Sequence, residues 1–552
     1  MTSDRSGIFF RRTPVALRLS AIALAAMLAS GTAVAQAEPD AQAEPDAPAA
    51  TGAPQPVDAA TNNASTGAAQ KAAGATQANT PATHASSAAH PTLTSSAPVS
   101  PAQSSDTSKR ASIDRPTVEQ GIPSTDQLGV SHVGNVAPEP AESPRQGILS
   151  GLGTTLNNWG FTPVFNLVQM YLTNPSVGQQ TGNHEALTFI SVGGDFDLQK
   201  IAGFSGATIH FQQLFVPFTS NLAWGSQAGD VLAGQPGPYV PKVSHLALFT
   251  WEQKVFNDKL DVEVGRSNPD LYFAAPVCNQ GFGCQSAILQ DNAGMNPPIY
   301  VNWGARVRYN LSPAWSVQAG VWRSDPAFPF TNGWEWTNSV PDSNTWLANI
   351  VYRTTYQTDP YPKSYELLFY HSTATQTDPS TSATHNGTSG MYFGGRQVVY
   401  RPDGGQSSVG DPSALSVFGS LTTSFDSHAS TGLAMTGITG LILEAPFRSR
   451  PHDSYSLSLN WATLTSSEQQ YLQQQNLAAG GAGYTVGRTQ LGLKLDANIA
   501  VTRSIILSPY VMRTWNTNTW GNPAFAGTPK NGYVAGILAS IFFDKMLGLT
   551  DH

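Results

Sequence analysis

Ser454-Tyr455-Ser456-Leu457-Ser458-Leu459-Asn460-Trp461 places an apolar side chain at every second position, with Ser or Asn between. Successive side chains of a strand point to opposite faces, so one face of this segment is greasy and the other polar. The same period of two recurs in Leu491, Leu493, Leu495 and Ala497 against Gln490, Gly492, Lys494 and Asp496. It recurs again in Val301, Trp303, Ala305, Val307 and Tyr309 against Asn302, Gly304, Arg306, Arg308 and Asn310, and in Leu260, Val262 and Val264 against Asp261 and Glu263. Alternation by itself fits a soluble sandwich, whose polar face meets water, as well as a membrane barrel.

Composition narrows the choice. Only 12% of the 552 residues are charged and 40% are hydrophobic, while 50 Gly and 39 Pro interrupt the chain, which excludes a coiled coil or long-helix protein. With 29 Lys and Arg against 37 Asp and Glu, a net charge of −8, the chain lacks the surplus of cations that nucleic-acid contacts require. Two cysteines exclude a disulfide-stapled scaffold and a four-cysteine zinc site. Beyond the N-terminal segment no apolar run approaches the ~18 residues of a spanning helix.

The spacing between strands favours the barrel. Candidate strands begin near Phe161, His184, Ser205, Val243, Lys259, Ile299, Ala314, Thr345, Lys363, Ser389, Ala414, Thr431, Asp453, Tyr484, Thr502 and Gly532, an even number of sixteen. Long polar gaps at 217–242, 268–298, 324–344, 371–388, 466–483 and 515–530 each follow an odd-numbered strand. Most gaps after even strands are tight, such as Asn257-Asp258 and Ser312-Pro313; Pro402 to Pro412 and the short odd gap near Asp426 to Ala429 are exceptions. Outer-membrane barrels put long loops outside and tight turns in the periplasm, whereas a sandwich gives no reason for that asymmetry. The expected fold is therefore all-β, a transmembrane antiparallel up-and-down β-barrel of about sixteen strands, closed by pairing of the strand from Tyr533 to Phe543 with the first. A short helix carrying Leu149, Leu152, Leu156 and Trp159 precedes it.

Upstream, Arg5, Arg11 and Arg12 precede an apolar core from Leu19 to Ala29, and Ala33-Val34-Ala35 supplies a small-residue cleavage site. Residues 1–35 are expected to be a secretory signal. Residues 36–146, built from Ala, Pro, Thr, Ser and Gln, lack the large apolar side chains needed to offset backbone entropy and are expected to form a disordered periplasmic linker, with envelope tethering as another use open to it. Residues 147–552 form the barrel domain.

A sixteen-stranded barrel encloses an aqueous lumen whose side chains set selectivity. Lipid-facing Arg costs ~2–4 kcal/mol at the bilayer midplane, so charges on strands are expected to point inward. The candidate pore lining is Glu263, Arg306 and Arg308, inward by alternation, Arg266 at the outer end of its strand, and Arg323, Arg353, Glu366, Arg396 and Arg488, with Glu263, Arg266 and Arg306 foremost; the alternative is that these charges pair and stiffen the wall. Trp322 is in register with Ser316 and Gln318, opposite Trp315, Val317, Ala319 and Val321. It is placed either to offer an indole face to pyranose rings or to sit in an interfacial girdle. Trp334 and Trp336, in a long loop, are a capture platform or loop packing. Cys278 and Cys284 are expected to close a small disulfide ring in the loop after the fifth strand, stiffening a loop that folds inward. No Gly-x-Ser-x-Gly elbow or His-Glu-x-x-His helix is present, so neither catalysis nor a metal or cofactor is expected.

Gly193-Gly194, Asp197-Leu198-Gln199-Lys200-Ile201-Ala202-Gly203-Phe204, Gly206-Ala207 and His210-Phe211 together resemble the opening of the carbohydrate-selective outer-membrane porin family. So do Val264-Gly265-Arg266, Pro298 with Trp303-Gly304-Ala305-Arg306, Ser449-Arg450-Pro451-His452-Asp453, and Trp515 followed by Gly532-Tyr533-Val534. The resemblance spans roughly residues 147–549 and implies a sixteen-stranded pore for facilitated diffusion of mono- and small oligosaccharides. The partners it implies are sugars and outer-membrane lipid, with monomer or homotrimer left open. A non-conducting barrel serving as an envelope tether or adhesin, and a barrel hydrolase acting on lipid, are the competing readings.

Overall fold

The computed structural model describes residues 147–550 except 235–242, 281–283, 285, 296–300, 325–331, 335–342, 355–357 and 406–412. The expected signal segment, the linker and Trp336 lie outside the described residues. The alternating segments become β1 (Phe161–Thr173), β2 (His184–Asp197), β3 (Ala207–Thr219), β4 (Val243–Val255), β5 (Leu260–Ser267), β6 (Asn302–Asn310), β7 (Trp315–Ser324) and β8 (Ser343–Arg353). They continue as β9 (Lys363–Thr377), β10 (Thr384–Tyr400), β11 (Ala414–Ser424), β12 (Leu433–Glu444), β13 (Ser454–Leu464), β14 (Thr489–Thr502), β15 (Ile505–Trp515) and β16 (Gly532–Phe542).

Each strand pairs antiparallel with its chain neighbours, and β16 pairs with β1 to close a sixteen-stranded barrel. Closure leaves no edge whose backbone groups lipid would fail to hydrogen-bond. The alternation fixes the faces: Leu457, Leu493, Leu495 and Val307 are exposed on the outer surface, while Ser456, Ser458, Asp496 and Arg306 are buried inside.

Several expectations are corrected. The segment 371–388 is no simple loop, because β9 and β10 extend the ladder to Thr377 and Thr384 as a tall hairpin. The strand expected near Tyr484 begins at Thr489, and the gap before it holds a helix, Ser466–Ala478. β16 ends at Phe542; Phe543 opens a short helix, Phe543–Leu547, and its ring stacks on Phe165 of β1 at 4.9 Å. The expected N-terminal helix spans Ser150–Trp159, with Leu152 and Trp159 exposed, and its Gly153 lies against the backbone of Gly548 and Leu549 so closely that a Cβ would clash.

Part of the inner wall is dry. Val168, Met170 and Leu172 of β1, Leu187 and Phe189 of β2, Leu214 of β3, Met512 of β15 and Leu538 of β16 point inward and pack together with Trp224 and Ala233 from the loop after β3. β1 can thus be apolar on both faces, because one meets lipid and the other is covered by a loop.

At the long-loop end, the helix Ser466–Ala478 ties neighbouring loops together. Thr465 caps it by accepting from Glu468 N, Ser467 Oγ donates to Asp378 Oδ1 in the β9–β10 hairpin at 2.8 Å, and Asn476 Nδ2 donates to the carbonyls of Phe525 and Gly527. Glu468 is buried under this helix against Gly432. Burial, and secondarily the Asp378 carboxylate, push its carboxyl from 4.5 up to about 8. A carboxyl raised in the folded state favours folding while protonated in both states and loses that advantage as pH rises. Protection of the 466–478 amides, corrected for intrinsic exchange, is therefore expected to fall between about pH 4.5 and about pH 8; Glu468→Gln is expected to flatten that slope, and an unchanged slope would assign it to another group.

Candidate functional site

The register of β4, β5 and β6 aligns Glu252 with Glu263 and Glu263 with Arg306, all on the inner face. The Arg306 guanidinium is the hub. Its Nε and Nη2 donate to Glu263 Oε2 at 3.1 and 2.7 Å, and Nη1 donates to Gln318 Oε1 at 3.2 Å. Nη2 also lies 3.1 Å from Asp261 Oδ2 and 3.4 Å from Glu252 Oε1. Around it, Arg308 reaches Asp261 at 3.6 Å and Lys254 reaches Glu252 at 3.4 Å. His210 sits between Asp195 at 2.6 Å and Glu252 at 3.5 Å. Arg306 is 5% exposed and Asp261, Glu252 and Glu263 less, so opposite charges are satisfied mutually rather than by water.

A loop seals this network. Tyr272, after β5, donates its hydroxyl to Glu263 Oε1 at 2.7 Å, and its ring lies 4.5 Å from the Arg306 Cζ, a cation–π contact. That ring also stacks on Trp322 at 5.8 Å, whose Nε1 donates to Ser267 Oγ. The indole fits because its cross-strand neighbour Gly304 and nearby Gly320 have no side chain; a Cβ there would stand 2.1 and 2.4 Å from it.

The same loop then crosses the barrel. Glu366 of β9 accepts from the backbone N–H groups of Ala274 and Ala275 at 2.9 and 3.1 Å and from Asn349 Nδ2 at 2.6 Å. Further along, Cys278 and Cys284 are joined by a disulfide, and Val277 and Cys278 pack on Phe418, Ile438 and Ile442 of the inner wall. Asn279 Nδ2 donates to Asp496 Oδ1 at 2.8 Å, Gln280 Nε2 to the carbonyls of Ala497 and Pro509, and Asn498 Nδ2 to the Asn279 carbonyl. The chain returns through Ser286, beside Thr436 at 2.6 Å, and Asn292, which accepts from Thr431. β5 and β13 lie on opposite sides of the closed ring, so the loop spans the lumen from wall to wall.

Among the expected pore residues, Glu263, Arg306, Arg308, Arg353, Glu366, Arg396 and Trp322 occupy inward positions. Arg396 forms an ion pair with Glu444. Trp322 is under Tyr272 and Phe273 rather than open to solute, because the loop covers it. Three residues are not where inward pointing would put them. Arg266 is in register with Phe249 and Trp303 of the outer face, tucked against Trp303 and donating to the Val301 carbonyl. Arg323 faces outward one residue from the end of β7; the cost of a lipid-facing Arg falls to ~0–1 kcal/mol near the interface, so the midplane argument does not hold there. Arg488 is exposed just before β14 and donates to the Leu464 carbonyl.

Trp334 donates Nε1 to Gln213 on the outer face of β3 and lies beside Phe211, so its contacts are those of loop packing. Sequence reasoning missed Tyr272 and Glu252. Glu252 follows Trp251 in an alternating run that could have exposed it; Tyr272 has no local signal, since its place depends on the loop's path. Among the described residues no group of three or more His, Cys, Asp or Glu is arranged to hold a metal ion.

The model of the carbohydrate-selective porin, OprB family matches residues 190–540. Porin B of Pseudomonas aeruginosa is 25% identical over 285 residues, 49% of this chain and 62% of that protein, so the match spans less than two thirds of the relative. A solved structure described as the high-pH structure of Pseudomonas putida OprB aligns with a TM-score of 0.61 at 21% identity, covering 73% of this chain and 100% of that one, a likeness that bears on the fold. The family model and the closed barrel, an outer-membrane channel fold and not an enzyme, agree: the chain belongs to the carbohydrate-selective porin family, OprB.

Proposed function

We propose that the barrel conducts mono- and small oligosaccharides across the outer membrane into the periplasm by facilitated diffusion, with its short-turn end and both ends of the barrel domain on the periplasmic side. The observation that carries this reading is the loop after β5, which divides the lumen between two anchored ends and so restricts it to small solutes. Its charges are paired across the wall, which suits neutral, hydroxyl-rich solutes better than ions of one sign. The groups we assign to sugar contact are the partly exposed ones, the Tyr272 ring and the Arg308 guanidinium, with Arg306 and Glu263 supporting them from behind.

Single-channel conductance in planar bilayers tests the proposal. Ion current is expected to fall in steps as glucose or a short oligosaccharide is added. A current indifferent to sugars would make the barrel an unselective pore, and a silent barrel would favour the tether or adhesin.

A further inference from the structure

Solute passage makes no use of the outer surface of β15 and β16. The period of two turns Ile505, Leu507, Pro509 and Val511 toward lipid, and the same parity carries Arg513 and Trp515. An arginine thus stands on a greasy face, beside exposed Val511, Leu493 and Tyr533, near the long-loop end of the strand.

The guanidinium is oriented. Nη1 donates to the Tyr533 hydroxyl at 3.0 Å, and Cζ lies 5.1 Å from the Tyr533 ring and 5.3 Å from the Trp515 ring. Among the described residues no carboxylate pairs with it. Tyr and Trp rings of this kind sit at headgroup level, where a cation on the lipid face is tolerated.

We propose that Arg513, held by Tyr533 and Trp515, binds the phosphate of an anionic lipid headgroup in the leaflet on the long-loop side. The planar guanidinium matches a phosphate with parallel N–H···O bonds, and two rings hold it in place before the lipid arrives. An anionic membrane surface attracts each nearby cation by ~1 kcal/mol even without specific contacts, and the fixed fork adds geometry to that attraction. The site lies outside the lumen and is independent of the transport reading.

Native mass spectrometry of the detergent-solubilised protein, titrated with lipid A and with its dephosphorylated form, tests this. Wild type is expected to retain the phosphorylated lipid about tenfold more tightly, the equivalent of one charge-assisted hydrogen bond. Arg513→Gln is expected to erase that preference while leaving channel conductance and binding of the dephosphorylated lipid unchanged. Equal retention of the two lipids by wild type, a comparison that needs no variant, would overturn the proposal. So would a preference that survives in Arg513→Gln, displacement of the lipid by equimolar inorganic phosphate, or oligomer masses that vanish in the variant and mark the face as a subunit contact.

Discussion

Replacing Glu366 with alanine is expected to raise single-channel conductance at least about twofold and to weaken sugar block, because this carboxylate holds the lumen-crossing loop where it leaves the β5 side. It accepts three hydrogen bonds, two of them from consecutive backbone N–H groups that have no other partner among the described residues, and a buried donor left unsatisfied costs ~1–3 kcal/mol. Ala274 occupies the left-handed region with φ of 54°, a conformation that the pair of bonds to Glu366 helps to hold. The disulfide lies within the loop and does not replace this anchor, since it joins the loop only to itself. Glu366→Gln keeps one acceptor and is expected to fall between wild type and Glu366→Ala. Conductance and sugar block that match wild type in Glu366→Ala would show that the far anchors, Asn279 and Gln280, hold the loop unaided.

Arg306→Ala is expected to act mainly on the wall. Removing the hub leaves Glu252, Asp261 and Glu263 facing one another with almost no access to water, and loss of one partner from a buried pair costs ~3–5 kcal/mol. The expected readout is a lower temperature for the gel-mobility change on heating and a lower urea midpoint. Protonating the carboxylates relieves the repulsion, so the deficit should shrink as pH falls, and Glu263→Gln added to Arg306→Ala should recover part of it. A variant as heat-resistant as wild type, with only sugar block weakened, would return Arg306 to direct solute recognition, the role its inward position on β6 suggests from sequence.

That contrast shows where sequence reasoning stopped. Alternation in 301–310 assigned Arg306 and Arg308 to the inner face, and β6 carries them there. It could not distinguish a charge that faces solute from one sealed behind Tyr272. For Arg323 the argument from membrane cost failed, because it holds at the midplane and this residue is near a strand end; Arg266 is buried against Trp303 and the Val301 carbonyl, so the cost of facing lipid does not bear on it. The apolar inner face of β1 carried a signal, since Val168, Met170 and Leu172 break the rule of a polar lumen, but its meaning required the loop bearing Trp224.

By itself the amino-acid order determined the number of strands, the alternation of polar and apolar faces along most of them and the end that carries most of the long connections, because a pleated strand imposes a period of two that any short window displays. Only the tertiary structure decided where the connections go. Asn279 meets Asp496 across 217 residues of chain and Glu366 meets Ala274 across 92. Such contacts have no period, and single Asn, Glu and Tyr side chains in a loop look alike until the closed wall brings their partners within reach.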